Sequence, residues 1–139
     1  MWTQLRRWLT RRQAIPLGLR GEFAAAKFLR RRGYRVVSHG QRIRGGELDI
    51  IAVDGQTIVF VEVKTRRQAD DAHPADAVDD EKQRRITDLA LRFLKRHDLL
   101  EHPSRFDVIA ITWPTDVRRP LIEHFPNAFE AVGKGQMYS

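Results

Sequence analysis

Between Gly45 and Arg66 the chain reads G-G-E-L-D-I-I-A-V-D-G-Q-T-I-V-F-V-E-V-K-T-R, two apolar runs separated by an Asp-Gly dipeptide. That pattern predicts a β-hairpin. With Asp54 and Gly55 as the two loop residues, Val53 sits opposite Gln56, Asp49 opposite Phe60 and Glu47 opposite Glu62. Strand side chains alternate with a period of two, so Glu47, Asp49, Glu62 and Lys64 all project from one face. A slip of one residue would send Asp49 and Glu62 to opposite faces. In the expected register their diagonal spans about 7–8 Å, within reach of one shared ligand.

Any one of these acids, taken alone, suits a solvated hairpin face. The set does not, because Asp49 lies in L-D-I-I-A and Glu62 in V-F-V-E-V-K, runs apolar enough for burial on both sides. Charges are seldom buried unless they are paired or ligate a metal. Three carboxylates on one patch repel each other, and a divalent cation with its preference for oxygen ligands would offset that cost.

The rest of the composition narrows the partner. A net charge of +7, from 25 Lys and Arg against 18 Asp and Glu, points to a polyanion. Nucleic acid is the first candidate and an anionic membrane surface the second. The 139 residues suffice for one domain, expected over 16–131, with a basic arm over 1–15 and a flexible tail over 132–139. The absence of cysteine excludes disulfides and thiolate metal sites and fits a reducing compartment, here taken as the cytoplasm. His39, His73, His97, His102 and His124 show no ligand spacing, and no apolar run approaches the roughly 20 residues of a transmembrane helix.

Residues 1–13 place Trp2, Leu5, Trp8 and Leu9 at helical spacing among four arginines, an amphipathic arm able to touch phosphates or lipid headgroups, or to dock on its own domain. A first helix is expected from Pro16 to Gly33, with Leu19, Phe23, Ala26 and Leu29 as its apolar stripe and Glu22 on the rim. Tyr34–Ser38 reads as a strand, and 39–46 as a Gly- and Arg-rich turn in which Arg42 and Arg44 can hold phosphate oxygens. The polar stretch 65–80 predicts a mobile loop. Beyond it a helix capped near Asp79 buries Val78, Ile86, Leu89, Ala90, Phe93 and Leu94 and presents Lys82 and Gln83 near the sheet. Arg105–Thr112 predicts a central strand, with Asp107 paired to a basic neighbour. P-L-I-E-H-F reads as the last strand and N-A-F-E-A-V as a closing helix.

Asp, a hairpin and then Glu-X-Lys resembles the PD-(D/E)xK nuclease core of restriction enzymes and archaeal Holliday-junction resolvases. More closely, the chain resembles the YraN family of endonuclease-like proteins. The match runs through G-L-R-G-E-F-A-A-A-K-F-L (18–29), G-G-E-L-D-I-I-A (45–52), V-F-V-E-V-K-T-R (59–66), R-F-D-V-I-A-I (105–111) and H-F-P-N-A-F (124–129). It departs at Gly40, where the family usually carries Asn. The resemblance implies an α/β, restriction-endonuclease-like fold: a mixed central sheet flanked by helices in the order α-β-β-β-α-β-β.

It also implies an endonuclease acting on DNA, including branched or junction DNA in repair or recombination. The alternative is a silent nucleic-acid-binding accessory protein with the same fold. Asp49 and Glu62 would hold Mg²⁺ or Mn²⁺, because their ligating atoms are oxygens. The resolvase-like members add a metal-linked Glu on the first helix, here Glu22. Lys64 would orient the attacking water or stabilise developing charge. Glu47 is either a ligand through water or, as favoured here, a salt-bridge partner of Lys64. Arg42, Arg44, Arg66, Lys82 and Gln83 would meet the nucleic acid, and a homodimer stays open.

Overall fold

The computed structural model describes residues 3–4, 15–70 and 72–132. Apart from Thr3, Gln4, Ile15 and Val132, the expected basic arm and tail lie outside the described residues.

Helix α1 (Leu17–Arg31) begins after Pro16 and ends at Arg32, followed by Gly33 at φ +91°. Its buried positions are Gly21, Ala25, Ala26 and Leu29. The expected stripe is therefore corrected: Leu19 and Phe23 are 40% and 44% exposed. The helix turns its smallest residues to the sheet, which brings its backbone close. A Cβ on Gly21 would lie 1.9 Å from Thr65 Oγ1.

Strands β1 (Arg35–Ile43), β2 (Gly46–Asp54), β3 (Thr57–Arg66), β4 (Ser104–Thr112) and β5 (Leu121–Phe129) form one sheet in sequence order. Only β3 and β4 run parallel; all other neighbours are antiparallel. A parallel pair needs a long crossover, which α2 (Asp80–Arg96) supplies. The chain is thus α/β with a mixed five-stranded sheet, in the element order expected.

The sheet separates two cores. On the α2 side Ile51, Ile58, Phe60, Phe106 and Val108 pack against Ile86, Leu89, Ala90, Phe93 and Leu94. On the α1 side Ile50, Ala52, Val59, Val61, Ile109 and Ile111 pack against Ala25, Ala26 and Leu29. Helix α2 follows the sequence reading closely, with Asp79 as N-cap accepting a 2.8 Å hydrogen bond from the Lys82 amide.

Three local expectations are corrected. The hairpin closes at Asp54↔Thr57, so its loop is Gly55-Gln56 and Ile51, not Asp49, faces Phe60. Among these loop residues only Gly55 has a positive φ, +62°, which suits a II′ turn with glycine first. Asp54 is drawn away to pair with Arg105 at 3.1 Å. The register moves by two, so the parity of the acids survives, but Glu47 faces Arg42 on β1 and not Glu62.

The segment 39–46 is mostly strand, because β1 continues to Ile43 and turns only at Arg44-Gly45. The closing helix is absent. Asn127–Phe129 extends β5 through a bulge in which Asn127 takes φ +52°. The expected loop over 65–80 contains a 3₁₀ turn at Pro74–Ala77, and His73 meets Phe125 edge-on at 4.6 Å.

Asp107 explains that bulge. Its carboxylate is fully buried and accepts from the Asn127 amide at 2.8 Å and Arg105 Nε at 3.0 Å, with His124 Nε2 at 2.8 Å. Arg105 also reaches the Tyr34 hydroxyl at 2.8 Å. Burial pushes the Asp107 carboxyl up, but His124, Arg105 and the Asn127 amide together hold it below the usual range. Asp107→Ala is expected to cost about 3–5 kcal/mol in urea unfolding, because it leaves the Asn127 amide and His124 without their buried acceptor and removes one partner of the half-buried Arg105. Asp107→Asn should cost less, since it keeps an acceptor for the Asn127 amide.

Candidate metal and nucleic-acid site

Beyond Ile50↔Val61 the ladder between β2 and β3 stops, while β2 stays paired with β1 as far as Gly46. The two strands fork, and Asp49 stands in the fork. Its Oδ2 accepts the Val63 amide at 2.9 Å, replacing the missing ladder bond. The strict alternation of β2 also breaks here, for Leu48 packs on the same side as Ile51. A side chain that serves as a surrogate backbone acceptor cannot turn to solvent. Asp49 is held in place by the sheet itself.

Glu62 follows Phe60 by parity on the α2 side. It lies within hydrogen-bonding reach of Asp49 and 2.5 Å from Lys82 Nζ. Two carboxyls this close in a partly desolvated fork cannot both ionise cheaply. Burial first, then the charge of Glu62, raise the Asp49 pKa to about 8 against the opposing pull of the Val63 amide, with Glu22 adding to the rise.

Glu22 approaches from α1, carried inward by the close packing at Gly21. Its carboxyl is raised by burial and by Glu47 and Glu62, and its Oε1 is buried with no hydrogen-bond partner among the described residues. It joins the same electrostatic cluster as Asp49, although among the described residues no three acidic or imidazole side chains close into a metal-binding group. The donor set nevertheless suits a hard divalent cation: two carboxyls within hydrogen-bonding reach and a third buried oxygen with no partner among the described residues.

Lys64 is exposed two residues beyond Glu62. It has no ion pair within 4.0 Å among the described residues, so the expected pairing with Glu47 is not formed. Lys82 is the cation that meets Glu62, reaching it from the first turn of α2. Gln83 turns back to donate to the Val78 carbonyl at 2.9 Å. Arg66 is largely covered, bonded to Thr112 Oγ1 at 3.1 Å and Asp70 at 3.2 Å. Arg42 and Arg44 are exposed at the β1–β2 end, where the Arg92 guanidinium donates to the Arg44 carbonyl. Sequence reasoning missed the Lys82–Glu62 pair and the Asp49–Val63 bond. Only the first had a signal, the place of Lys82 at the third helical position.

A family model, the uncharacterised protein family UPF0102, matches residues 21–111, which span Glu22, the fork and most of β4. The chain belongs to that family. A UPF0102 protein of Rhodopirellula baltica is 51% identical over 125 residues, 88% of this chain and 75% of that protein. One from Geobacter sulfurreducens is 53% identical over 114 residues, 82% of this chain and 88% of that protein. UPF0102 is the YraN group anticipated from the motifs, a PD-(D/E)xK nuclease-like family.

Two predictions test this geometry. A carboxyl whose folded pKa lies above its unfolded value binds its proton more tightly when folded. Stability should therefore fall as pH rises from about 4 to about 8 without divalent cation. Asp49→Asn keeps the acceptor for Val63, removes that slope and should raise the melting temperature at pH 8. Gly21→Ala forces a Cβ into Thr65 and should cost about 1–3 kcal/mol in chemical unfolding.

Proposed function

We propose that this UPF0102 protein is a divalent-metal-dependent phosphodiesterase of the endonuclease-like type, acting on DNA at the fork between β2 and β3. The observation that carries this reading is Asp49 held by the Val63 amide within hydrogen-bonding reach of Glu62, beside Lys64, which has no ion pair among the described residues. Such a pair is costly for the fold and suits a cation. Asp49 and Glu62 would hold Mg²⁺ or Mn²⁺, with Glu22 as the third oxygen donor behind them. Bound there, the ion would lower the pKa of a water and polarise the scissile phosphate.

The remaining work falls to the chain. Asp49 must release its proton to ligate, so metal binding takes up hydroxide equivalents near neutral pH. Lys64, without an ion pair among the described residues and two residues from Glu62, would orient the attacking water and offset charge building on the phosphate. Lys82 steadies Glu62. Arg42 and Arg44 hold phosphate oxygens on the approach, and with no recognition helix in a groove-reading arrangement among the described residues the contacts are to backbone, not base edges. This fits DNA read by shape, including branched or junction DNA, and a cytoplasmic setting is consistent with the absence of cysteine.

One observation favours a second reading, a catalytically silent binding protein. Lys82 already occupies Glu62 at 2.5 Å, and a lysine can stand permanently where the reading above needs an ion.

Cleavage of duplex, single-stranded, flap and four-way junction DNA with Mg²⁺ or Mn²⁺ separates the two. Glu62→Gln is expected to lower cleavage at least about a hundredfold, equivalent to about 2.7 kcal/mol of transition-state stabilisation. Its DNA affinity without metal should hold or rise. Lys64→Ala should also abolish cleavage while weakening binding slightly. Wild type and Glu62→Gln equally inactive on every substrate would leave the binding protein as the answer.

A further inference from the structure

The opposite flank of α1 carries a second basic feature that the site above does not use. Arg20, Lys27 and Arg31 recur at helical spacing along the outer side of α1, and Arg32 follows at its end. Arg118 and Arg119, in the connection from β4 to β5, face them across a groove of about 820 Å³. None of these six cations pairs with a carboxylate among the described residues, and no acidic residue lines the groove.

Aromatic rings alternate with the charges. The Arg20 guanidinium stacks 4.1 Å above the Trp113 ring and that of Arg32 lies 4.3 Å above Phe28. Phe23 stands 44% exposed between them in sequence. A guanidinium stacked on an aromatic ring presents its other flat face outward, as good a platform for a nucleobase as the ring itself.

We propose that this groove binds a single-stranded segment of nucleic acid, its phosphates on the α1 and Arg118–Arg119 cations and its bases on the Trp113, Phe28 and Phe23 platforms. Alternation of unpaired cations with flat apolar faces is what unstacked strands need and duplexes do not. A duplex hides its bases, so it would use the charges alone. The chain's own N-terminal arm is a poor occupant by charge, for residues 1–14 carry four arginines and no acid.

The groove also reaches the end of β3, four residues beyond Glu62. Arg20 is two residues before Glu22, and the Trp113 amide donates to the Arg66 carbonyl at the end of β3, 2.8 Å away. A strand leaving the fork between β2 and β3 would pass into it, which extends the reading above to branched DNA with a single-stranded arm. That last step rests on the proposed function; the binding claim does not.

The test is fluorescence anisotropy of the full chain with labelled oligothymidylate in EDTA, where cleavage plays no part. Single strand should bind more tightly than duplex of equal length at equal salt. Arg118→Glu/Arg119→Glu and, separately, Phe23→Ala should each weaken single-strand binding by about fivefold or more. The same charge change on the other face, Lys95→Glu/Arg96→Glu, should alter it less than twofold.

In a Trp2→Phe/Trp8→Phe background the Trp113 emission should be quenched as oligothymidylate saturates. Circular dichroism and melting curves confirm that each exposed-site variant is folded. Unchanged affinity in both groove variants, an equal loss in the opposite-face variant, or unquenched Trp113 would overturn the proposal. So would groove variants that lose binding to phosphatidylglycerol vesicles but keep it for oligothymidylate. A cleavage-inactive protein that passes these tests would sink the enzyme reading and leave the groove standing.

Discussion

The burial of β3 on both faces is the constraint on which the rest of this molecule depends. Ile58 and Phe60 go into one core, Val59 and Val61 into the other, so neither helix can be removed without exposing the strand. Parallel pairing with β4 locks it along nine residues, from Ile58↔Ser104 to Arg66↔Thr112. A strand so fixed has no freedom to swing its polar end away from its neighbours. Glu62 and Lys64 are therefore delivered to the sheet margin in a set orientation by the apolar residues that precede them.

What happens at that margin follows from the fork. Once β2 departs from β3, the Val63 amide lacks a ladder partner, and a buried amide without one is costly. Asp49 satisfies it and in doing so comes up against Glu62. The like-charge contact is thus tied to a backbone hydrogen bond, which is why the carboxyl keeps its proton instead of rotating outward. Lys82 relieves Glu62 from one side only. The close seat of α1, possible because Gly21 has no side chain, adds the unsatisfied Glu22 oxygen to the same region.

A second polar network, centred on Asp107 opposite Val61, has the opposite character. Asp107, Arg105, His124 and Tyr34 satisfy one another, and the carboxylate there is held ionised. One chain therefore contains a half-buried and a fully buried aspartate, on strands either side of β3, with their pKa values pushed in opposite directions. Full pairing marks Asp107 as part of the framework. Asp49 instead meets a like charge, and Glu22 keeps a buried oxygen without a hydrogen-bond partner among the described residues, which is the contrast on which the proposed function rests.

The sequence alone determined the two main helices, the five strands and their order, and grouped Asp49 with Glu62. Those conclusions need only alternation, helical spacing and the Asp79 cap, which are local properties of the chain. Even the misplaced hairpin loop left the parity intact, because a shift of two residues restores each side chain to its face. Tertiary structure decided what local patterns cannot carry. Leu19 and Phe23 looked like core but face outward, because α1 meets β3 closely at Gly21 and turns Ala25, Ala26 and Leu29 to the sheet. Asn127–Phe129 had helical composition but joined β5, because Asp107, twenty residues earlier, captured its backbone. The meeting of Asp49 with the Val63 amide, of Lys82 with Glu62 and of Arg20 with Trp113 depends on distances between elements far apart in the chain, which no periodicity records.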